Sequence, residues 1–172
     1  MTHDGSQPGP PPDAVQYIER TRSLYSSQPP YRWLHHDPAT NPLPWTPITK
    51  PIATSRVALL ASGGIHLATE PPFHFRNDVS HREIPADTQN EDLRVAHFGY
   101  DVRDAQRDPG CVFPLTALRA LATEGAIGAV ADPALSFMGG IYSARLVRDD
   151  LAPRLRDFVL RQRADLAYLV PA

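Results

Sequence analysis

The stretch Arg56-Val57-Ala58-Leu59-Leu60-Ala61, closed by Ser62-Gly63-Gly64, decides the fold. An unbroken apolar run that short predicts a strand buried on both faces, the mark of a parallel sheet covered by helices. Further along, Leu93 to Phe98, Ala126 to Ala131 and Leu166 to Val170 read as three more strands. Two helices fall between them. One runs from about Pro114 to Thr123 on Leu115, Leu118 and Leu121, with Gly125 as its left-handed stop. The other spans roughly Ser143 to Arg163 on Leu146, Leu151, Leu155, Phe158 and Val159. Alternating strands and helices predict an α/β domain of doubly wound type, with a mainly parallel sheet of about four strands over residues 52–172.

Toward the N-terminus the pattern changes. Residues 1–12 are Gly, Pro and polar residues and read as a disordered leader. Residues 13–51 read as a helix capped by Asp13, then a proline-broken arm. Trp33 and Trp45 predict that this arm packs against a surface of its own or another subunit.

The chain has 172 residues, 42% hydrophobic and 21% charged, with net charge −2. Those values fit one globular domain and exclude a disordered tail or a general phosphate-backbone binder. Cys111 is the one cysteine, so an internal disulfide and a multi-cysteine zinc site are excluded. No apolar run approaches the ~20 residues of a membrane span, and no signal core follows Met1. The expectation is a cytoplasmic protein with no nucleic-acid or membrane partner.

In open α/β sheets ligands bind beyond the carboxyl ends of the strands. The segments there are Ser62 to His66, His97 to Asp101 and Ser136 to Gly140. His97 near Asp101 offers a general acid–base pair, but taken alone reads first as a histidine bonded to backbone beside a turn cap. The connection from Ile65 to Asp92 holds His66, His74, Asp78, His81, Arg82 and Glu83. It also carries the anchors Phe73, Phe75, Val79 and Ile84, which predict an ordered lid. Its histidines match no compact ligand spacing, so no metal is assigned; no cofactor is identified either. Cys111 precedes Val112-Phe113-Pro114, and that apolar flank predicts a buried thiol with a raised pKa.

An ordered series of motifs then carries a family resemblance. Val57 to Gly64, Asn77-Asp78-Val79-Ser80-His81-Arg82-Glu83-Ile84-Pro85 and Asp92 to Asp101 come first. Val112-Phe113-Pro114-Leu115, Glu124 to Gly128 and Ser136-Phe137-Met138-Gly139-Gly140 follow. The series resembles the selenoprotein B components of glycine, sarcosine, betaine and D-proline reductases, nearest to the short D-proline-reductase-like branch. The resemblance implies an oxidoreductase that reductively cleaves a carbon–nitrogen bond in a small amine or amino-acid-derived substrate. It also implies a reactive selenocysteine or cysteine just after the strand matching Leu166 to Val170. This sequence shows only Pro171-Ala172 there, and Gly110 where the family carries Asn.

The expected ligand rim is therefore Gly63, Gly64, His66, Asp78, Tyr100, Phe137, Met138 and Gly139, with His97, Asp101 and Arg82 as catalytic candidates. Arg82 either grips a substrate carboxylate or serves as a structural partner of Asp78 or Asp101. The partners implied are a small-molecule ligand and a homo- or hetero-oligomer, including a second chain that carries the Cys-rich half. A non-catalytic scaffold or binding subunit is the alternative.

Overall fold

A computed structural model of the chain describes residues 46–172, of which Pro47–Ala172 form one compact unit. The expected leader, the first helix and both tryptophans lie outside the described residues. The strands are β1 (Arg56–Ala61), β2 (Ile65–Leu67), β3 (His81–Ile84), β4 (Leu93–Val95), β5 (Ala129–Val130), β6 (Ala134–Phe137) and β7 (Leu166–Val170). The helices are α1 (Arg103–Arg107), α2 (Leu115–Thr123), α3 (Ala144–Leu146) and α4 (Ala152–Arg161).

β1 is the centre of the main sheet. Along one edge it pairs in parallel with β7, from Val57↔Leu166 to Ala61↔Val170. Its other edge is shared by β5 and β6, both parallel to it. Arg56 faces Ala129 while Leu60 faces Leu135, so the chain gains two residues between these strands, at the Asp132-Pro133 step. β3 closes the far side of β6 in antiparallel sense, Arg82 opposite Ser136. The sheet thus holds five strands but is four strands wide, and the α/β class with a mostly parallel sheet stands.

The apolar run of β1 divides its side chains between two faces. Val57, Leu59 and Ala61 pack with Phe113, Leu115, Leu118, Ile65 and Leu93. Ala58 and Leu60 pack with Leu151 and Leu155. Both faces are therefore covered, which the alternation-free sequence requires.

α2 ends as its sequence predicts. Gly125 takes φ +75°, while Ala126 N–H donates to the Leu121 carbonyl and Gly125 N–H to that of Ala122. This paired 6→1 and 5→2 closure needs a left-handed residue at Gly125. The long helix forms too, but in three parts: α3, a π-helical turn over Val147–Leu151, and α4. Pro153 explains the break. It has no N–H to donate to the residue four back, and its ring crowds that carbonyl, so the ladder opens by one residue.

Two strand expectations need correction. The run from Leu93 to Phe98 forms only the three-residue β4, which leaves the parallel sheet and pairs antiparallel with β2. Its reason is the pattern itself: Leu93 is buried and Arg94 exposed, the alternation of a strand solvated on one side. The run from Ala126 to Ala131 shortens to β5, because Gly128 is pressed against the Ile52–Thr54 turn, where a Cβ would stand 2.5 Å from the Thr54 carbonyl carbon.

Candidate functional site

A cavity of about 530 Å³ opens at the carboxyl ends of β1, β6 and β7. Its walls are mostly aliphatic: Leu60 and Leu169 from the sheet, Ile141 just before α3, and Val147 and Leu151 from the π-helical turn. Phe137, Met138 and Gly139 form one side, and Ser62, Pro171 and Ala172 the rim. Ser62 pins that rim. Its N–H donates to the Val170 carbonyl at 3.0 Å, and its Oγ accepts from Ala172 N–H at 3.0 Å.

Of the glycine and aromatic candidates, Phe137, Met138 and Gly139 line the cavity, and Gly63, Gly64 and Tyr100 are bonded behind them. Gly63 bridges Met138, and Gly64 N–H donates to the Phe137 carbonyl at 3.0 Å. Gly64 has φ +69°, and a Cβ there would lie 2.2 Å from the Ala96 carbonyl oxygen, so only glycine fits. Tyr100 donates its hydroxyl to the Gly63 carbonyl at 2.9 Å. Burial, then the neighbouring Cys111, pushes that phenol up to about 12.

His97 stands behind Gly139. The ring is 7% exposed and is flanked by Tyr100 at 4.7 Å and Phe98 at 5.8 Å between centroids. Its Nδ1 accepts from Gly99 N–H at 2.9 Å. In the neutral ring, which burial favours by lowering the pKa, the proton then belongs to Nε2. That Nε2 is buried and has no hydrogen-bond partner. A Cβ added to Gly139 would lie 3.1 Å from it, 2.9 Å from the Ser62 carbonyl oxygen and 3.0 Å from the Ala172 main-chain oxygen. Three polar atoms therefore crowd Gly139 closely enough that no side chain fits there without a shift. His81 Nδ1, Arg82 Nε and Gln162 Oε1 are also buried without partners, but their residues are only half-buried and none borders this cavity.

The remaining candidates are spent on protein partners. Asp78 is buried and accepts from His74 N–H, Ser80 N–H and the Ser80 hydroxyl. Burial alone would raise its pKa, but these bonds outweigh it and hold the carboxyl below its usual range. Arg82 donates to Ser80 Oγ at 2.9 Å and the Pro71 carbonyl at 3.1 Å, with its guanidinium 4.2 Å over the Phe73 ring. His66 packs edge-on to the same ring and bonds the Leu67 carbonyl through Nδ1. Asp101 is exposed and paired in a fork with Arg103, which holds its carboxyl at about 2. No hydrogen bond joins His97, Asp101 and Arg82 to one another among the described residues; each has separate surroundings.

The connection from Ile65 to Asp92 is ordered as expected, with Phe73 and Ile84 buried, although Phe75 is exposed. Cys111 contradicts expectation: it is exposed. It closes the Pro109–Cys111 turn, and in 3₁₀ geometry successive side chains point about a third of a turn apart. Phe113 is driven inward and Cys111 outward. Desolvation, then Asp108 and Asp104, raises the thiol pKa, so the direction of the expected shift holds.

Several cavity residues are missing from the expected ligand rim: Leu60, Ile141, Val147, Leu151 and Leu169, and Ser62, which falls in an expected strand-end segment without being named a site residue. The strand-end rule pointed to the right place, but these residues resemble ordinary core and turn residues until the helix is docked.

The comparisons with known proteins fit this architecture. The glycine/sarcosine/betaine reductase selenoprotein B family matches residues 35–145. The D-proline reductase subunit gamma of Acetoanaerobium sticklandii is 35% identical over 132 residues, covering 77% of this chain and 54% of that protein. The glycine reductase complex component B subunit gamma of Symbiobacterium thermophilum is 26% identical over 142 residues, covering 75% of this chain and 32% of that protein. The chain thus spans about half the length of the first relative and a third of the second. No solved structure matches. The chain belongs to the glycine/sarcosine/betaine reductase selenoprotein B family.

Proposed function

We propose that the chain acts as a gamma-type component of a reductase assembly, receiving a small amine or amino-acid-derived substrate at the strand-end cavity. The observation that carries this reading is an aliphatic cavity at the end of a parallel sheet, with the unpaired His97 N–H behind its Gly139 wall. An orphaned buried donor costs about 1–3 kcal/mol, and its persistence at a cavity wall is what a ligand-receiving site requires.

The reaction implied by the family is reductive cleavage of a carbon–nitrogen bond. A thiolate or selenolate bonds to the carbon, the carbon–nitrogen bond breaks, and nitrogen leaves with the electron pair and takes up a proton. A second thiol then attacks the sulfur or selenium. The carbon departs with that electron pair and is protonated, leaving the two chalcogens oxidised as a pair.

Within this chain, His97 offers a hydrogen bond to the reacting group, and the aliphatic walls pack against its apolar part. Cys111 is a poor nucleophile: its thiol is held protonated, and it is not a cavity residue. The attacking chalcogen therefore comes from beyond these residues, on a further segment or a partner chain. The exposed Tyr168 and Leu169 of β7 suit a subunit that is covered in an assembly.

The test is to co-express the chain with its neighbouring coding sequences and assay the purified assembly for dithiol-dependent reduction of D-proline and glycine. Activity that requires both the chain and its partners supports the reading. Turnover by this chain alone, or an intact assembly inert toward both substrates, contradicts it.

A further inference from the structure

We infer that Phe75, Phe98 and Tyr142 are the docking anchor for a partner subunit of the reductase assembly, one that presents an apolar loop bordered by carboxylates. The inference rests on the reading of the chain as an assembly component.

The three rings adjoin one another, Phe75 5.6 Å from Phe98 and Phe98 6.1 Å from Tyr142 between centroids. They are 57%, 37% and 80% exposed in turn. At about 200 Å² per residue they leave on the order of 350 Å² open to solvent. That is the scale of the largest apolar patch on a typical soluble monomer, and such patches are often functional. Their setting is held in place, which limits the entropy lost on docking. Asn77, in the left-handed region at φ +51°, accepts from Ser143 N–H at 3.1 Å and ties the Phe75 turn to the chain before α3. Phe98 is stacked on the buried His97 ring and lies over Gly140, where a Cβ would meet its Cζ at 2.5 Å. Ile141, between Gly140 and Tyr142, lines the cavity and packs against Phe73, Ala96 and Met138, so a docked partner borders the cavity wall.

Charge decides the occupant. The segments that carry the rings, residues 73–78, 97–101 and 140–146, hold the carboxylates of Asp78 and Asp101. Asp78 is buried and satisfied by its own loop, and Asp101 is paired with Arg103. Arg76, beside Phe75, and Arg145, three residues after Tyr142, are exposed and have no ion pair among the described residues. The aromatic core therefore has a cationic rim, and a partner with carboxylates around an apolar loop complements both. A second copy fits poorly, because an isologous contact sets the same patch on both subunits and brings like charges together. The patch is also less than half of the roughly 800 Å² that a stable interface buries per partner, so it serves as the core of a wider contact.

The experiment co-expresses the full chain with its neighbouring coding sequences, Tyr142 being replaced by the photocrosslinker p-benzoylphenylalanine. Affinity between the separately purified chain and its partner is read by calorimetry. The expected crosslink joins position 142 to a partner chain, within a loop that carries Asp or Glu. Phe75→Ser with Tyr142→Ser is expected to weaken association at least about tenfold. Arg76→Glu with Arg145→Glu should do the same and flatten the dependence of affinity on salt. Leu160→Ser, an exposed apolar position on α4, should leave affinity unchanged. A crosslink to a second copy, or to any segment of this chain, overturns the inference. So does an assembly that forms with unchanged affinity in both double variants, and so does tighter binding by the charge-reversed one; the gamma-component reading survives all three. Failure of any assembly to form overturns the inference and that reading together.

Discussion

The polar loop of residues 71–85 and the mostly aliphatic cavity at the strand ends treat their polar groups in different ways. In the loop, Asp78 accepts three hydrogen bonds and Arg82 clasps Ser80, Pro71 and the Phe73 ring, so the charges hold the fold. At the cavity, a buried histidine keeps one N–H without a partner. A polar group satisfied by its own chain is structural; one left unsatisfied at a cavity wall is positioned to receive something. The family motif around Asn77 to Pro85 thereby gains a physical reading: it builds the support on which Phe73, Ala96 and Met138 pack next to the site.

Breaking the satisfied side of this comparison is expected to give the largest effect. Asp78→Ala leaves three donors without their acceptor, and we expect a loss of about 3 kcal/mol in denaturant unfolding. A fall well under 1 kcal/mol would mean that the loop does not depend on Asp78. Because its folded pKa is depressed, the wild-type contribution is present above its ordinary value of 3.8 and lost as pH falls below it. Arg82→Met comes next, keeping the aliphatic stem but losing the hydrogen bonds and the stacked cation. The expected cost is about 1–2 kcal/mol, read by the same unfolding curve. Should Arg82 be a substrate ligand instead, this variant would lose binding with unchanged stability.

Acid sensitivity sharpens the contrast further. Burial lowers the pKa of His97, and also of His81, where Arg154 adds to the effect. Both are more readily protonated unfolded than folded, so their contribution to stability is full above about pH 6.5 and declines as pH falls below it. Unfolding free energies measured down this range should show a slope that weakens in His97→Gln and again in the double variant with His81→Gln. A slope identical to wild type in both would contradict their burial as neutral rings.

The smallest effect is expected at Cys111. Exposed and outside the cavity, it should tolerate Cys111→Ser within about 0.5 kcal/mol and with ligand binding intact. Alkylation of the native thiol should be limited by its protonation, accelerating steeply above neutral pH. Loss of binding in this variant would place the thiol in the site after all.

How much of this was legible depends on whether local pattern or tertiary context decides. β1 is readable because a strand covered on both faces shows an unbroken apolar run, β7 because it carries an equally apolar run although Ala167, Tyr168 and Leu169 are exposed, and α2 because its stop needs Gly125. β3 is not: His81-Arg82-Glu83-Ile84 is an edge strand of mostly polar residues, of which only Glu83 is exposed, and only its pairing with Leu135 and Ser136 defines it. β6 hides behind Asp132-Pro133, which reads as the end of the preceding strand rather than a two-residue excess within one edge. Cys111 misleads because its neighbours are buried, whereas a 3₁₀ turn reverses exposure within two positions. In the site, glycines and His97 were visible from strand-end placement. What sequence does not carry is the partnering: whether Arg82 and Asp101 are free is settled by Ser80, Pro71 and Arg103.

The central claim is that His97 is a neutral ring with an unpartnered Nε2–H behind the Gly139 wall of the cavity, and its tautomer tests this most directly. Long-range proton–nitrogen NMR correlation of the ring, followed through a pH titration, separates the Nε2-protonated, Nδ1-protonated and doubly protonated forms. The account predicts the Nε2–H form at neutral pH, titrating below 6.5 and shifting when a ligand enters the cavity. An Nδ1–H ring, or a pKa above 6.5, would contradict it.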